Sequence, residues 1–584
     1  MSLETPLADA ASGNCRRTRI FHAIQDRIRP RDLLFLALVA MLGAKVGWGV
    51  AIFGDVQLAD ETAYLDRGLG WDLPPAQGSP LYSCWYFLLS LIATDPIDLY
   101  FLNWFLLPTM LGAGMYLLVR SLGGAELPAF LSAAVIMLSR VHEIWPRPMH
   151  FAASLVMFGL AIAFALRGTS TRLAVATLTL GVAAYARPEF AVSFVALAAI
   201  LIAVLIGESY RHPSRIGRNL ALGCLALLPA FLLYQSFGSP LGGGRSDVAF
   251  GQHYAVNKYE AGLMDADRSP WHNYREIVAE DFGRSDVGPL GALLASPKNF
   301  LWHGSRNIAG FVENIRGILT SASSEMIKHL LRGYIAFVLI AVCLIGWSEC
   351  RGVTWRGLIA RISVPGMIGL AVVAPIIAAC LAIYPREHYL LCLLVIPLAF
   401  ATCLIRIDSF PRRLTPSWRL AGLIAGAIVL LAPNHYVGWD YGRLLAAERR
   451  GEDPEAVQPV IDVVEMIREI PLTGPLRVAG IGYSYFVYAE PEFEFFGPTK
   501  IGTNGFTAFL KRRDINVVVL RDNDTIVDLL REDPEFMSFR KTPPAGWVII
   551  GEPGVVDRIA VRRDALAGPV KNIVAAPTGQ SRRR

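Results

Sequence analysis

Long apolar runs recur along the chain, separated by short polar stretches in which arginine is frequent. A helix that satisfies its own backbone in hydrocarbon needs roughly 20 apolar residues to cross a bilayer. On that measure eleven segments read as spans: 33–54, 97–119, 127–141, 150–166, 172–186, 190–206, 219–237, 331–347, 363–384, 388–405 and 420–434. The segment 80–93, PLYSCWYFLLSLIA, is apolar but too short to cross unaided. Its Tyr82, Trp85 and Tyr86 suit the headgroup level, so it reads as an interfacial or re-entrant helix.

Arginine placement orients these spans. Arg16, Arg17, Arg19, Arg27, Arg29 and Arg31 precede the first. Counting alternately from there, every inner loop is basic: Arg120, then Arg167 with Arg172, Arg211 with Arg215 and Arg218, Arg351 with Arg356 and Arg361, and finally Arg406, Arg412, Arg413 and Arg419. A true span at 80–93 would invert that alternation. The expected organisation is a basic cytoplasmic N-terminus (1–32) and a transmembrane domain (33–434) with outer loops 55–96 and 238–330. An outer α/β domain (435–565) and a disordered tail (566–584) follow.

The pattern changes after the last apolar run. Residues 456–470 have helical periodicity. The runs 476–482 (LRVAGIG), 515–520 (INVVVL) and 547–552 (WVIIGE) read as strands, with helix-like GFTAFLKRR and DTIVDLLRE between them. The GIG lacks the further glycine and the acidic residue of a dinucleotide fingerprint, so no such site is expected. No internal repeat of the kind found in secondary transporters is visible.

Composition agrees with the bilayer. Of 584 residues 53% are hydrophobic and 18% charged, and the net charge of +6 is spread between apolar segments. No nucleic-acid patch results. The eight cysteines have neither CxxC nor Cys/His spacing, so neither a disulfide framework nor a zinc site is expected. The first apolar run is too long for a signal-peptide core and reads as a retained anchor.

Candidate chemistry gathers on the outer face. The first outer loop contains LADETAYLDRG, in which Asp60 and Glu61 form an acidic pair followed by Tyr64 and Asp66. Adjacent carboxylates repel, which suits one of them to act as a general base, or both as oxygen ligands for a divalent cation such as Mg, Mn or Ca. Three short outer turns each pair an arginine with a carboxylate: His142, Glu143, Arg147 and His150; Arg187 and Glu189; Arg386, Glu387, His388 and Tyr389. Guanidinium groups meet phosphate oxygens in a fixed fork, so these turns suit an anion-handling site at the interface. The loop 238–330 adds His253, Tyr254, Lys258, Trp271, His272 and His303, whose histidines read as structural, and the stretch NFLWHGSRNIAGFVENIRGIL suits the membrane surface.

With LADETAYLDRG, SPLYSCWYFLLSLI, LLVRSLGG, YARPE and YPREHYLL in this order, the chain resembles the GT-C glycosyltransferases, in the branch of protein O-mannosyltransferases and aminoarabinose transferases. The resemblance covers most of residues 30–434. It implies a polytopic α-helical enzyme of a bacterial inner membrane. That enzyme would move a sugar, with inversion, from a polyprenyl-phosphate-linked donor to an envelope glycan, lipid or protein acceptor. It implies Asp60 or Glu61 as catalytic carboxylate, Glu143 as a second acidic position, and Arg187 and Arg386 on the donor phosphate. Tyr64, His142, Arg147, Glu189, Glu387, His388 and Tyr389 would be substrate contacts. The second motif is His142–Glu143 where the family pattern has an acidic pair, so a metal held by Asp60 and Glu143 stays an open alternative. A transporter or flippase of lipid-linked glycans, or a non-enzymatic envelope assembly protein, are the competing readings.

Overall fold

In the computed structural model the described residues are 30–58, 60–139, 147–242, 244–265, 268–271, 273–320, 355–404, 417–432, 459–479, 483–489, 493–496, 505–520, 533–550 and 558–568. The expected span 331–347, the helix-like DTIVDLLRE, His142, Glu143, His272 and most of the tail lie outside them. The chain divides into two compact units: residues 1–47, 73–84 and 105–433, and residues 48–72, 85–104 and 434–584.

The first unit is helical. It holds α1 (Pro30–Gly47); in chain order come α2 (Val50–Phe53) and α3 (Asp60–Leu69), which belong to the second unit, then α4 (Pro80–Ser90) and α5 (Pro96–Ser121), each divided between the units. It continues with α6 (Glu126–Leu138), α7 (Pro148–Ala165), α8 (Thr169–Ala183), α9 (Phe190–Arg211) and α10 (Ile216–Phe237). Next come α11 (Arg245–Glu260), α12 (Tyr274–Phe282), α13 (Pro289–Ala295), α14 (Pro297–Thr320), α15 (Trp355–Ala382), α16 (Glu387–Leu404) and α17 (Trp418–Leu431). Among the described residues five helices are long and apolar enough to cross a membrane: Pro96–Ser121, Pro148–Ala165, Phe190–Arg211, Pro213–Phe237 and Val364–Ala382. The apolar helices at 126–138, 387–403 and 419–431 are shorter. The first expected span is not one continuous helix. Gly49 adopts a left-handed φ of 86° and separates α1 from α2, a conformation that glycine takes without a Cβ penalty.

Small residues let these helices approach closely. A side chain at Gly159 on α7 would run into Thr179 on α8, and one at Gly112 on α5 would meet Met137 on α6. α8 packs against α7, α9 and α10, with Leu173, Ala176, Leu180 and Ala183 fully buried. One buried ion pair lies near the first helix: Arg120 Nε meets Asp32 at 2.6 Å, and the Tyr116 hydroxyl donates to the same carboxylate at 2.7 Å. Both partners are needed, because an acid buried this deeply is costly when uncompensated. In the segment 238–330, Phe250, Tyr254, Ile277, Val278 and Phe282 make a separate core between α11 and α12.

The second unit contains a five-stranded mixed sheet. Its later elements are α18 (Pro459–Arg468), β1 (Leu476–Ala479), α19 (Tyr483–Ala489), β2 (Phe493–Phe496), α20 (Gly505–Arg512), β3 (Val517–Leu520), α21 (Pro534–Lys541), β4 (Trp547–Ile550) and β5 (Arg558–Arg562). The strand order is β2-β1-β3-β5-β4. β1 runs parallel to β2 and β3, with Val478 opposite Val517, while β5 is antiparallel to β3 and β4. Parallel neighbours need a crossover connection, and α19 and α20 occupy those connections. Phe506, Phe509, Phe536 and Phe539 pack with Val518, Leu520 and Ala560 as the core. The three strands expected from the sequence are present among the described residues as β1, β3 and β4. β2 and β5 are additional, because FEFF and RIAVR are brief and carry charge within them.

Candidate active-site residues

The acidic pair sits in the first turn of α3, where carboxylates suit the helix dipole. The two acids have different surroundings. Asp60 is exposed, whereas Glu61 is fully buried. The Tyr86 hydroxyl donates to Glu61 Oε1 at 2.5 Å, and Asn103 Nδ2 donates to the same oxygen at 3.2 Å and to the Tyr86 oxygen at 2.9 Å. Trp85 Nε1 completes the chain by donating to Asn103 Oδ1 at 2.9 Å. Neutral donors thus orient one carboxylate oxygen, since a buried acceptor without them carries a desolvation cost. Tyr64 is buried on the same helix, and Thr62 donates its hydroxyl to the Gln57 carbonyl at 3.2 Å.

Sequence reasoning singled out Asp60 and Glu61 but not Asn103 as their partner. The signal was present: an asparagine within an apolar helix is costly unless bonded or used. Tyr86 and Trp85 were expected at the headgroup level. Both serve as donors in this network.

The cationic residues belong to the first unit. Arg187, 3% exposed, lies in the turn between α8 and α9. Its Nε and Nη2 meet the two oxygens of Glu189 at 3.1 and 2.6 Å, a forked pair of the strong kind. The guanidinium also lies 5.4 Å from the Tyr389 ring centroid. Arg386, in the turn before α16, stands 5.2 Å over the Trp271 ring. His253 stacks on Tyr384 with centroids 4.5 Å apart and meets Trp271 edge-on at 5.6 Å.

His388, 3% exposed, adjoins the Tyr389 ring at 4.1 Å. It feels the charges of Arg187 and Arg386 and the neighbouring rings of His150 and His253. The structure therefore gathers Arg187, Glu189, Arg386, His388, Tyr389 and His150 from three turns. Of the His142–Arg147 turn only Arg147, which is buried, is described. Glu387 opens α16 and is partly exposed.

Burial, then Arg386, then His303 push the His253 imidazole down from 6.5 to about 3, so it is neutral. His303 is likewise lowered by burial, to about 4. Its Nε2 lies 2.9 Å from the Ile383 carbonyl and its Nδ1 2.8 Å from Asn257 Nδ2. That assigns the Nε2–H tautomer, with Nδ1 accepting. His303 is thus a structural link between α11, α14 and the turn before Arg386.

Among the described residues no three His, Cys, Asp or Glu side chains gather as a metal site. Asp60 is the only described member of the Asp60–Glu143 pair.

Neither a protein-family profile nor a curated protein matches the chain. Solved structures align with it, among them two from Archaeoglobus fulgidus. The archaeal oligosaccharyltransferase AglB from Archaeoglobus fulgidus, in complex with an inhibitory peptide and a dolichol-phosphate, is 12% identical over 92% of this chain and 75% of its own, with a TM-score of 0.36. The Archaeoglobus fulgidus oligosaccharyltransferase in complex with Zn and sulfate is 11% identical over 92% and 74%, with a TM-score of 0.40. Likenesses at this level establish neither fold nor activity.

Proposed function

We propose that the protein is a membrane glycosyltransferase of GT-C type that takes a sugar from a polyprenyl-phosphate-linked donor and passes it, with inversion, to an envelope glycan, lipid or protein acceptor. The observation that carries this reading is the gathering of Arg187 and Arg386, each set against an aromatic face, with His388 beside them. Two fixed guanidinium groups suit a phosphate that leaves with developing negative charge. Asp60 would remove the acceptor hydroxyl's proton, being the exposed member of the acidic pair, while buried Glu61 would orient the start of α3. The five apolar helices suit a donor anchored by its lipid. The proposed setting is a bacterial inner membrane, with the N-terminus cytoplasmic and the sheet-bearing domain periplasmic.

The test uses the full chain in vesicles with a labelled polyprenyl-phosphate hexose series. Transfer that fails in Asp60→Asn is the expected result. Transfer at the normal rate in both Asp60→Asn and Glu61→Gln removes the catalytic assignment.

A further inference from the structure

Within the second unit, the segment that leads into Asp60 is tied to two helices from the far end of the sequence. The Asp55 carboxylate accepts backbone N–H bonds from Val460 at 2.7 Å and Ile461 at 3.1 Å, in the first turn of α18. Helix N-termini leave such donors unsatisfied, and a carboxylate normally caps its own helix. Here the cap comes from a loop remote in sequence, and burial raises the Asp55 pKa despite the bonds it accepts.

A second tie lies one turn closer to the acid. The Gln57 carbonyl accepts the Tyr488 hydroxyl of α19 at 3.1 Å and the Thr62 hydroxyl of α3 at 3.2 Å. Tyr488 and Thr62 are both fully buried. One carbonyl is thus shared by a far helix and by a residue two positions beyond Asp60. The third tie is Arg468, at the end of α18. It meets Asp95 at 2.7 Å and donates to the Tyr488 carbonyl at 3.2 and 2.5 Å, which joins α18 to α19. Tyr488 also stands edge-on to Tyr100 at 6.2 Å.

We infer that Asp55, Tyr488 and Arg468 are positioning residues, through which α18 and α19 hold the segment 55–62 and set how Asp60 is presented. The inference rests on Asp60 acting as the base. It gives the C-terminal helices a part in the reaction that does not require them to bind acceptor. Asp55 fixes the ledge, Tyr488 couples it to α3, and Arg468 keeps the two helices in register.

The test is hydrogen exchange on the full-length protein in nanodiscs, followed in peptides covering 56–69. Losing one bond of this kind corresponds to about tenfold faster local exchange. Asp55→Ala and Tyr488→Phe are expected to accelerate 56–69 by about that factor while α7 and α9 keep their protection. Asp55→Asn is expected to restore it in part, because Val460 and Ile461 donate to different carboxylate oxygens and the amide keeps one acceptor. With a polyprenyl-phosphate hexose as probe, kcat is expected to fall in Asp55→Ala and Tyr488→Phe and to fall less in Asp55→Asn, with KM for the donor unchanged. Should Asp55→Ala fail to fold, Tyr488→Phe, which removes one hydroxyl, carries the test. Unchanged exchange in 56–69, or accelerated exchange with kcat unaltered, overturns the inference. An Asp60→Asn protein that still transfers at the normal rate overturns the assignment of Asp60 as the base instead, and the exchange result is independent of it.

Discussion

The acidic corner around Glu61 and the cationic cluster around Arg187 solve the same problem of placing charge near an apolar environment, by opposite means. Glu61 accepts from neutral groups, a tyrosine hydroxyl and an asparagine amide. Arg187 is matched by a carboxylate, and Arg386 lies on an indole face. A network of neutral donors fixes an oxygen in space and leaves its charge in place. A forked ion pair spreads charge between partners, and an aromatic face holds a cation while leaving its in-plane N–H groups for another acceptor. On the proposed reading, the comparison separates an acid held for orientation from cations held for a guest anion.

The strongest way to break that contrast is at Asp60. A general base contributes about 10²–10⁴-fold, so Asp60→Asn is expected to lower transfer by that order, measured as initial rates in vesicles. Glu61→Gln is expected to cost less, because an amide oxygen still accepts from Tyr86. Equal losses in the two variants would erase the distinction between exposed and buried acid.

Next in size is Arg386→Ala. It removes one of the two guanidinium groups and is expected to weaken donor use by about 10–100-fold, of the order of a charge-assisted bond. Initial rates against donor concentration check this, and Arg386→Lys should recover only part, since an ammonium lacks the planar fork.

Tyr86→Phe then sharpens the acidic side. It leaves Glu61 Oε1 with the longer Asn103 bond and is expected to cost about 1–3 kcal/mol of stability, seen as a lower Tm. An unchanged Tm would mean that the hydroxyl does not hold Glu61.

The last prediction concerns pH. The His253 imidazole is lowered from 6.5 to about 3 in the folded chain, so folding excludes a proton that the unfolded chain binds. The stability it contributes is therefore full above about 6.5 and lost as pH falls toward about 3, at roughly 1.4 kcal/mol per pH unit. His253→Phe is expected to flatten the acid limb of a Tm-against-pH curve. An equally steep limb would remove His253 as the cause.

Much of this contrast was legible in the order of residues. Apolar period and arginine placement located helices such as α7, α9 and α10 within a few residues, because burial of backbone in hydrocarbon permits few alternatives. Asp60, Glu61, Arg187 and Arg386 stood out because charge beside long apolar runs is costly. Partners were harder to read. Asn103 and Glu61 are far apart in sequence, as are Asp55 and Val460, and no local period encodes which loop a distant helix end meets. The break at Gly49 was missed for the opposite reason. Hydropathy is continuous through it, and only a single glycine marks the turn.

The central claim is that the carbon–oxygen bond between sugar and lipid phosphate is broken by this protein. It is tested most directly by following a doubly labelled polyprenyl-phosphate hexose, with one label on the lipid and one on the sugar, in vesicles containing the full chain. The account expects free polyprenyl phosphate to accumulate in step with sugar on the acceptor, and to stop in Asp60→Asn. Donor that crosses the bilayer with both labels still joined, and no polyprenyl phosphate released, would contradict it.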